Sequence, residues 1–444
     1  MMQFTGDWVK NNTKSLEYWF PETRILIFGL LIGLLLRLFC MYFFVLNTES
    51  DAGGYLIGGK NILDYGVFAM EPGDQTPGMF RPPLYSAFIA AIFSVFGYSP
   101  RAIQVIQILI GLLVCLLLYM AISPVSKKLA TWVFVFELLL PFDMMYQTLI
   151  LSETLALFLI VFTFFCAFRL SKLWRWVGIG LSLGLLCLCR DVYLPMIPLL
   201  ALVWLLFGSE LLKQKLIHII VMCFFSAIIL LPWIVRNCIL ADKPVLLSEG
   251  RLGWILFTGT WVTTDTSHTY NFSSDGKYIL PPIAFQDEKA KYELREFIKD
   301  NDYKKWDSEL LKTALRRIKE EPFWVVGRWL IRAPLYWLGT RSDLLGFHPT
   351  WTPRRSLQWV ILKSGFWILN FAVVLLGCFG IFLAIKNRSI LRWYALPVVF
   401  TVLVHLPLFV EFRCTQPVYF CLVVFCVFCI LELKKMWFTY EPSL

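Results

Sequence analysis

The sequence predicts an all-α protein that crosses a membrane many times, and three observations carry that expectation. Apolar residues make up 58% of the 444 and charged residues only 16%, where a soluble domain carries about 25% charged residues. The apolar excess comes in blocks such as 25–45 and 103–122, long enough to cross a hydrocarbon core of about 30 Å at about 1.5 Å per residue. Finally, the Lys and Arg residues between blocks obey one consistent sidedness.

Taken in order, the blocks predict ten membrane helices, at 24–46, 101–122, 129–148, 150–169, 175–190, 191–207, 217–236, 362–385, 390–410 and 415–433. Several are short, so the third with the fourth and the fifth with the sixth are open to reading as hairpins. Lys127 and Lys128, then Arg169, Lys172 and Arg175, then Lys213 and Lys215, then Lys386, Arg388 and Arg392, and finally Lys434 and Lys435 follow alternate helices. All of these lie on one side if residues 1–23 are cytoplasmic, as the positive-inside rule requires. The first 23 residues are polar and the first block exceeds a signal h-region of about 7–15 residues, so no cleavable signal is expected.

The predicted organisation is then a cytoplasmic amino-terminal stretch (1–23) and a transmembrane core (24–236) whose first outer loop covers 47–100. An extracytoplasmic segment (237–361), carboxy-terminal helices (362–433) and a cytoplasmic tail (434–444) follow. Within the first outer loop, residues 55–65 have an amphipathic pattern and 71–83 are rich in Gly and Pro. Within the second, residues 287–319 show apolar positions at helical spacing among many charges, which predicts a small helical subdomain. Residues 323–338 are apolar but interrupted by Arg328 and Arg332, which fits an interfacial helix better than a span.

Composition also excludes some functions. The net charge of +10 comes largely from these interhelical clusters, so topology explains it and nucleic-acid binding does not follow. Cys426 and Cys429 form a C-x-x-C inside the last block, where small packing residues are the better reading than a redox pair. The four histidines, His218, His268, His348 and His405, are scattered and form no zinc pattern.

What remains is a set of polar residues at the outer helix ends. Glu49, Ser50 and Asp51 follow the first helix, with Tyr55 soon after. Arg81, Pro82, Pro83, Leu84 and Tyr85 come thirty residues on. Ser152 and Glu153 open the fourth helix, and Arg190 and Asp191 mark the turn between the fifth and sixth. Trp233, Arg236 and Asn237 end the seventh, and Glu411, Phe412 and Arg413 precede the tenth. Each has a plain alternative: a carboxylate at a helix start complements the dipole, and boundary arginines snorkel to lipid phosphates. Their concentration on the face that the positive-inside rule leaves poor in cations is what singles them out. Carboxylates with arginines suit sugar transfer from a lipid phosphate, which needs a base for the acceptor's proton and cations for the departing phosphate. Arginine offers a planar fork for phosphate oxygens.

With these motifs in place, the chain resembles the GT-C superfamily, in its dolichyl-phosphate-mannose protein mannosyltransferase and aminoarabinose transferase branch. The resemblance runs over about 24–240, with a patch near 411–433. It lies chiefly in the first outer loop: an acidic motif, Tyr55, Gly66-Val67-Phe68, then Arg81-Pro82-Pro83-Leu84-Tyr85 and Phe96-Gly97. It implies a GT-C-type helix bundle and an inverting transferase that uses a polyprenyl-phosphate monosaccharide at the outer membrane face; the compact size favours undecaprenyl phosphate in a bacterial inner membrane over dolichyl phosphate. It implies Asp51 as the base, Glu153 as a second acidic residue that orients the acceptor or supports Asp51, and Arg81, with Arg236 and Arg413, as phosphate ligands. Glu49, Tyr55, Tyr85, Arg190 and Asp191 would line the cavity. Members differ in their need for metal, so a divalent cation stays open.

The chain also departs from the pattern. Its acidic motif is Glu49-x-Asp51 where many protein mannosyltransferases carry adjacent Asp and Glu, and Cys414 stands where relatives often have Tyr. No counterpart of the large carboxy-terminal soluble domain of some relatives is expected within these 444 residues. The acceptor is therefore open among lipid A, O-antigen, another surface glycan and protein. Two other classes share the outer cationic cavity: a transporter of lipid-linked sugar, which predicts ionisable residues near the bilayer midplane, where Glu137 is the main candidate, and a non-catalytic subunit that only holds the lipid-linked sugar.

Overall fold

A computed structural model describes residues 20–44, 46, 48, 51–250, 252–261, 271–272, 278–279, 303–338, 356–408 and 412–439. Apart from one two-residue antiparallel pairing, β1 (Asn271–Phe272) with β2 (Tyr278–Ile279), the regular structure there is helical. The first half contains α1 (Phe20–Phe43), α2 (Asp51–Tyr65), α3 (Leu84–Phe96), α4 (Pro100–Ile122), α5 (Lys127–Leu139), α6 (Pro141–Gln147), α7 (Glu153–Arg169), α8 (Lys172–Cys189), α9 (Met196–Phe207) and α10 (Leu212–Ala241). Beyond them lie α11 (Leu252–Trp261), α12 (Tyr303–Glu320), α13 (Pro322–Arg332), α14 (Leu335–Leu338), α15 (Leu357–Lys386), α16 (Ala395–His405) and α17 (Tyr419–Thr439).

Six helical segments among the described residues are long and apolar enough to cross a membrane, and a seventh span arises if α5 and α6, bent by 56° at their junction, are taken as one. The chain is an integral multi-pass membrane protein. The ten predicted spans differ from this by length: the segments Asp191–Phe207 and Ile390–His405 are shorter apolar helices, the predicted span 150–169 holds the 17-residue α7, and 129–148 is broken. The break has a local cause. Pro141 has no N–H to donate into the preceding turn and its ring clashes there, so α5 ends at Leu139 and α6 restarts on Pro141.

Lipid-facing and protein-facing surfaces divide by helix. α1 leaves Phe28, Leu35 and Tyr42 exposed, whereas the first half of α17, from Tyr419 to Cys426, is buried throughout. α17 is the centre of the bundle and packs along α15, as α8 does along α10 and α4 along α7. Small residues permit these close crossings, since apolar side chains gain little by leaving lipid for other apolar side chains and tight backbone approach supplies the attraction. A Cβ at Gly180 of α8 would lie 2.5 Å from the Met222 carbonyl of α10.

The amphipathic stretch in the first loop is α2, which starts earlier than the sequence suggests, at Asp51. It packs against α3 through Gly58 and Gly59, where a Cβ would run into Ser86 and Ile89. Gly66 closes it at a φ of 68°, a left-handed conformation that costs glycine nothing. In the second long segment, the predicted helix within 287–319 is described from Tyr303 onward, as α12, and its earlier part lies outside the described residues. The stretch expected to be interfacial forms α13 and α14; Phe323, Leu330 and Ile331 are exposed while Arg332 is buried.

Candidate active site

Asp51 is the first residue of α2, placed where the helix dipole favours a negative charge. The chain enters the helix tightly: a Cβ at Gly53 would lie 2.9 Å from the Thr48 carbonyl. Arg81 precedes two prolines; a residue before proline is pushed to extended backbone, and Pro83 then serves as the N-cap position of α3. Arg413 comes from far along the chain, in a short 3-10 helix (Phe412–Val418) that leads into α17.

These three residues meet. Arg81 Nη2 donates to Asp51 Oδ1 at 2.5 Å, and Arg413 Nη1 lies 2.5 Å from Asp51 Oδ2. The side chains are 26% (Asp51), 11% (Arg81) and 22% (Arg413) exposed, so the cluster is enclosed but reachable. Burial alone opposes ionisation of Asp51, but the charges and hydrogen bonds of Arg413 and Arg81 outweigh it and hold the carboxyl well below the usual carboxylate range. Two cations against one anion leave the trio with a net positive charge.

Tyr55, one turn along α2, joins this trio to a second ion pair. Its ring lies under the Arg81 guanidinium, 4.8 Å from centroid to Cζ, and meets the Tyr85 ring edge-on at 4.8 Å. Its hydroxyl reaches the Ser152 hydroxyl at 3.4 Å, and Arg190 Nη1 donates to the same oxygen at 3.4 Å. Arg190 also pairs with Glu153 at 2.8 Å. Glu153 is only 2% exposed, and its Oε2 has no hydrogen-bond partner among the described residues. A buried carboxylate of this kind is held by its cation rather than by the helix dipole alone.

Not every predicted residue belongs to this cluster. Arg236 stacks on Trp233, 4.2 Å from the ring centroid, and donates to the Gly78 carbonyl at 3.0 Å and to Asn237 Oδ1 at 2.8 Å. It ties α10 to the loop before Arg81. Asp191 accepts a hydrogen bond from the Ser248 hydroxyl, away from Asp51. Glu49 and Glu411 lie outside the described residues. Among the described residues, no group of three His, Cys, Asp or Glu side chains comes together that could hold a metal ion.

Sequence reasoning missed the polar scaffold beneath the site. Tyr85 Oη donates to Gln107 Oε1 at 2.6 Å, and Gln107 Nε2 donates to the Gln147 and Leu149 carbonyls at 3.1 and 2.6 Å. That holds the irregular stretch ahead of Glu153. Arg37, fully buried on α1, donates to Gln147 Oε1 at 2.7 Å and to the Leu138 carbonyl at 2.9 Å, satisfying a backbone group freed where α5 breaks. Gln416, on the same 3-10 helix as Arg413, donates to Asp143 of α6. A lone arginine inside the apolar block 25–45 was the available signal for Arg37; the glutamines carry none, because only their neighbours reveal them.

The family model described as dolichyl-phosphate-mannose-protein mannosyltransferase matches residues 80–235, about a third of the chain. That stretch contains Arg81, Tyr85, Glu153, Arg190 and Asp191 but not Asp51, Arg236 or Arg413. No curated protein matches the chain. Two solved structures are similar over 92% of this chain and 78% of their own. The crystal structure of ArnT from Cupriavidus metallidurans in the apo state has 13% identity and a TM-score of 0.42. The same protein bound to undecaprenyl phosphate has 12% identity and a TM-score of 0.45. Through the family match and the motifs within it, the chain resembles the dolichyl-phosphate-mannose protein mannosyltransferase branch of the GT-C superfamily.

Proposed function

We propose that the chain is an inverting glycosyltransferase that moves a monosaccharide from a polyprenyl-phosphate carrier to a hydroxyl-bearing glycan, lipid or protein. The observation that carries this reading is the Asp51 carboxylate set between the Arg81 and Arg413 guanidiniums. In the reaction the acceptor oxygen attacks the anomeric carbon and gives its proton to Asp51. The carbon–oxygen bond to phosphate breaks, and the phosphate leaves with the electron pair. The single displacement inverts the anomeric carbon. Arg81 and Arg413 neutralise the departing phosphate, which as a good leaving group needs no general acid. Glu153, held by Arg190, is the second acidic residue of the site and orients the acceptor or supports Asp51. The family match over residues 80–235 supports the same chemistry. Arg236, tied to a backbone carbonyl, serves the site by holding the loop that carries Arg81.

With the Lys and Arg clusters of the short loops on the cytoplasmic side, Asp51 faces away from the cytoplasm; we infer a bacterial inner membrane, with undecaprenyl phosphate as the carrier. The segment 237–361 is then the extracytoplasmic one and takes part in acceptor recognition.

One observation favours a second reading. Arg37, Glu137 and Asp143 are buried side by side in the bundle, next to the broken α5–α6 pair, and intramembrane ionisable residues at broken helices also mark transporters of lipid-linked sugars. The deciding experiment is transfer from a panel of polyprenyl-phosphate sugars by purified wild type and Asp51→Asn. Turnover by the wild type alone supports the transferase and names the sugar. Equal turnover by both moves the base to Glu153. Donor binding with no turnover by either, together with movement of donor across a liposome bilayer, replaces the transferase with the transporter.

A further inference from the structure

Both carboxylate oxygens of Asp51 are engaged, Oδ1 by Arg81 and Oδ2 by Arg413, each at 2.5 Å. A carboxylate held this way is a poor base, because accepting a proton means giving up two charge-assisted bonds. Yet the same two guanidiniums are the groups that the donor phosphate needs. A phosphate on Arg81 and Arg413 must either sit against the Asp51 carboxylate, like charge beside like charge, or take its place. The geometry favours replacement. Arg81 rests on the Tyr55 ring, a contact that holds the guanidinium whichever anion lies on its edge. Its Nε has no hydrogen-bond partner among the described residues. A phosphate in place of the carboxylate leaves the arginines neutralised and the carboxylate free at the start of α2.

We propose that Asp51 is the resident counter-ion of Arg81 and Arg413, displaced by the donor's phosphate, so that donor binding itself releases the carboxylate that takes the acceptor's proton. This rests on the transferase reading above and adds an order of events to it: the base is masked until the donor is seated.

The test measures binding of undecaprenyl phosphate, without sugar, to the full chain in nanodiscs. Wild type, Asp51→Asn, Asp51→Ser, Arg413→Ala and the Asp51→Asn/Arg413→Ala double variant are compared, each checked for a monodisperse folded particle. The exchange expects both neutral variants at position 51 to bind roughly tenfold tighter than the wild type, about one close charge–charge interaction. It expects that gain to shrink in the Arg413→Ala background, where one of the contested cations is gone. A wild type that binds while Asp51→Asn and Asp51→Ser bind equally or more weakly overturns the exchange and leaves the transferase reading standing. The same gain with and without Arg413 also overturns it, because simple repulsion then accounts for the tightening. Absence of binding by every protein removes the transferase reading itself.

Discussion

Arg190 and Glu153, thirty-seven positions apart, form an ion pair of 2.8 Å in which the carboxylate is 2% exposed. Arg190 stands at the C-terminal cap position of α8 and Glu153 at the first position of α7. Removing the arginine alone strands a buried charge, at a cost of about 3–5 kcal/mol. Arg190→Ala is therefore expected to lower the thermal midpoint of the purified protein strongly, whereas the Glu153→Gln/Arg190→Gln double variant recovers most of it. If the double variant is no more stable than Arg190→Ala, the loss comes from packing and not from the stranded carboxylate.

Arg81 is placed on a loop, not inside a helix, so its loss should fall on chemistry more than on folding. Arg81→Ala is expected to reduce kcat/KM for the polyprenyl-phosphate donor by about 10²–10³, the usual size for one lost transition-state cation or donor, with a small change in thermal midpoint. Steady-state kinetics over a donor series checks it; wild-type turnover would remove Arg81 from phosphate binding.

The pH dependence has a definite sign. The folded-state pKa of Asp51 is depressed, from an ordinary value of 3.8. Its ion pairs therefore contribute stability that is fully present above that value and lost only as pH falls below it, toward the depressed folded-state value. The stability difference between wild type and Asp51→Asn is expected to stay constant from pH 7 to pH 5. Thermal unfolding at several pH values measures this. A difference that already shrinks by pH 5 would mean the carboxyl is not held down by the two arginines.

Gly59 tests how closely α2 must sit on α3. A Cβ there runs into Ile89, and the Ser86 carbonyl lies 3.2 Å away. Gly59→Ala is expected to cost about 1–3 kcal/mol, the range for overpacking, and to reduce transfer beyond its effect on stability, because the helix carrying Asp51 is pushed off the loop carrying Arg81. A variant as active as wild type per folded molecule would show that the two elements adjust independently.

Sidedness is open to direct labelling. Lys312→Cys on α12, whose native side chain is exposed, is expected to react with an impermeant maleimide in intact cells over the background of native cysteines. Lys128→Cys, at the start of α5, should react only after lysis. The reverse pattern would move Asp51 to the cytoplasmic face.

Much of the membrane architecture was legible in the sequence because hydrocarbon imposes a length and a polarity on any helix that crosses it. The break inside 129–148 was less visible, since Pro141 lies in a run whose hydropathy reads as continuous. At the site, Asp51, Arg81, Glu153 and Arg190 could be named because charged residues at helix ends stand out against apolar blocks. Arg236 could be named for the same reason, but not its partners, a backbone carbonyl and the Trp233 ring.

The sequence by itself determined that this chain is a multi-pass helical membrane protein and which few charges stand at its helix ends, since both follow from local composition. Only the tertiary structure decided the partners: that Asp51 is shared by Arg81 and by Arg413, more than 350 positions further along the chain, and that Glu153 belongs to Arg190. Pairing is set by how α2 packs on α3 and the last 3-10 helix packs on α7 and α17, and packing between distant segments leaves no periodicity in the chain from which it could be read.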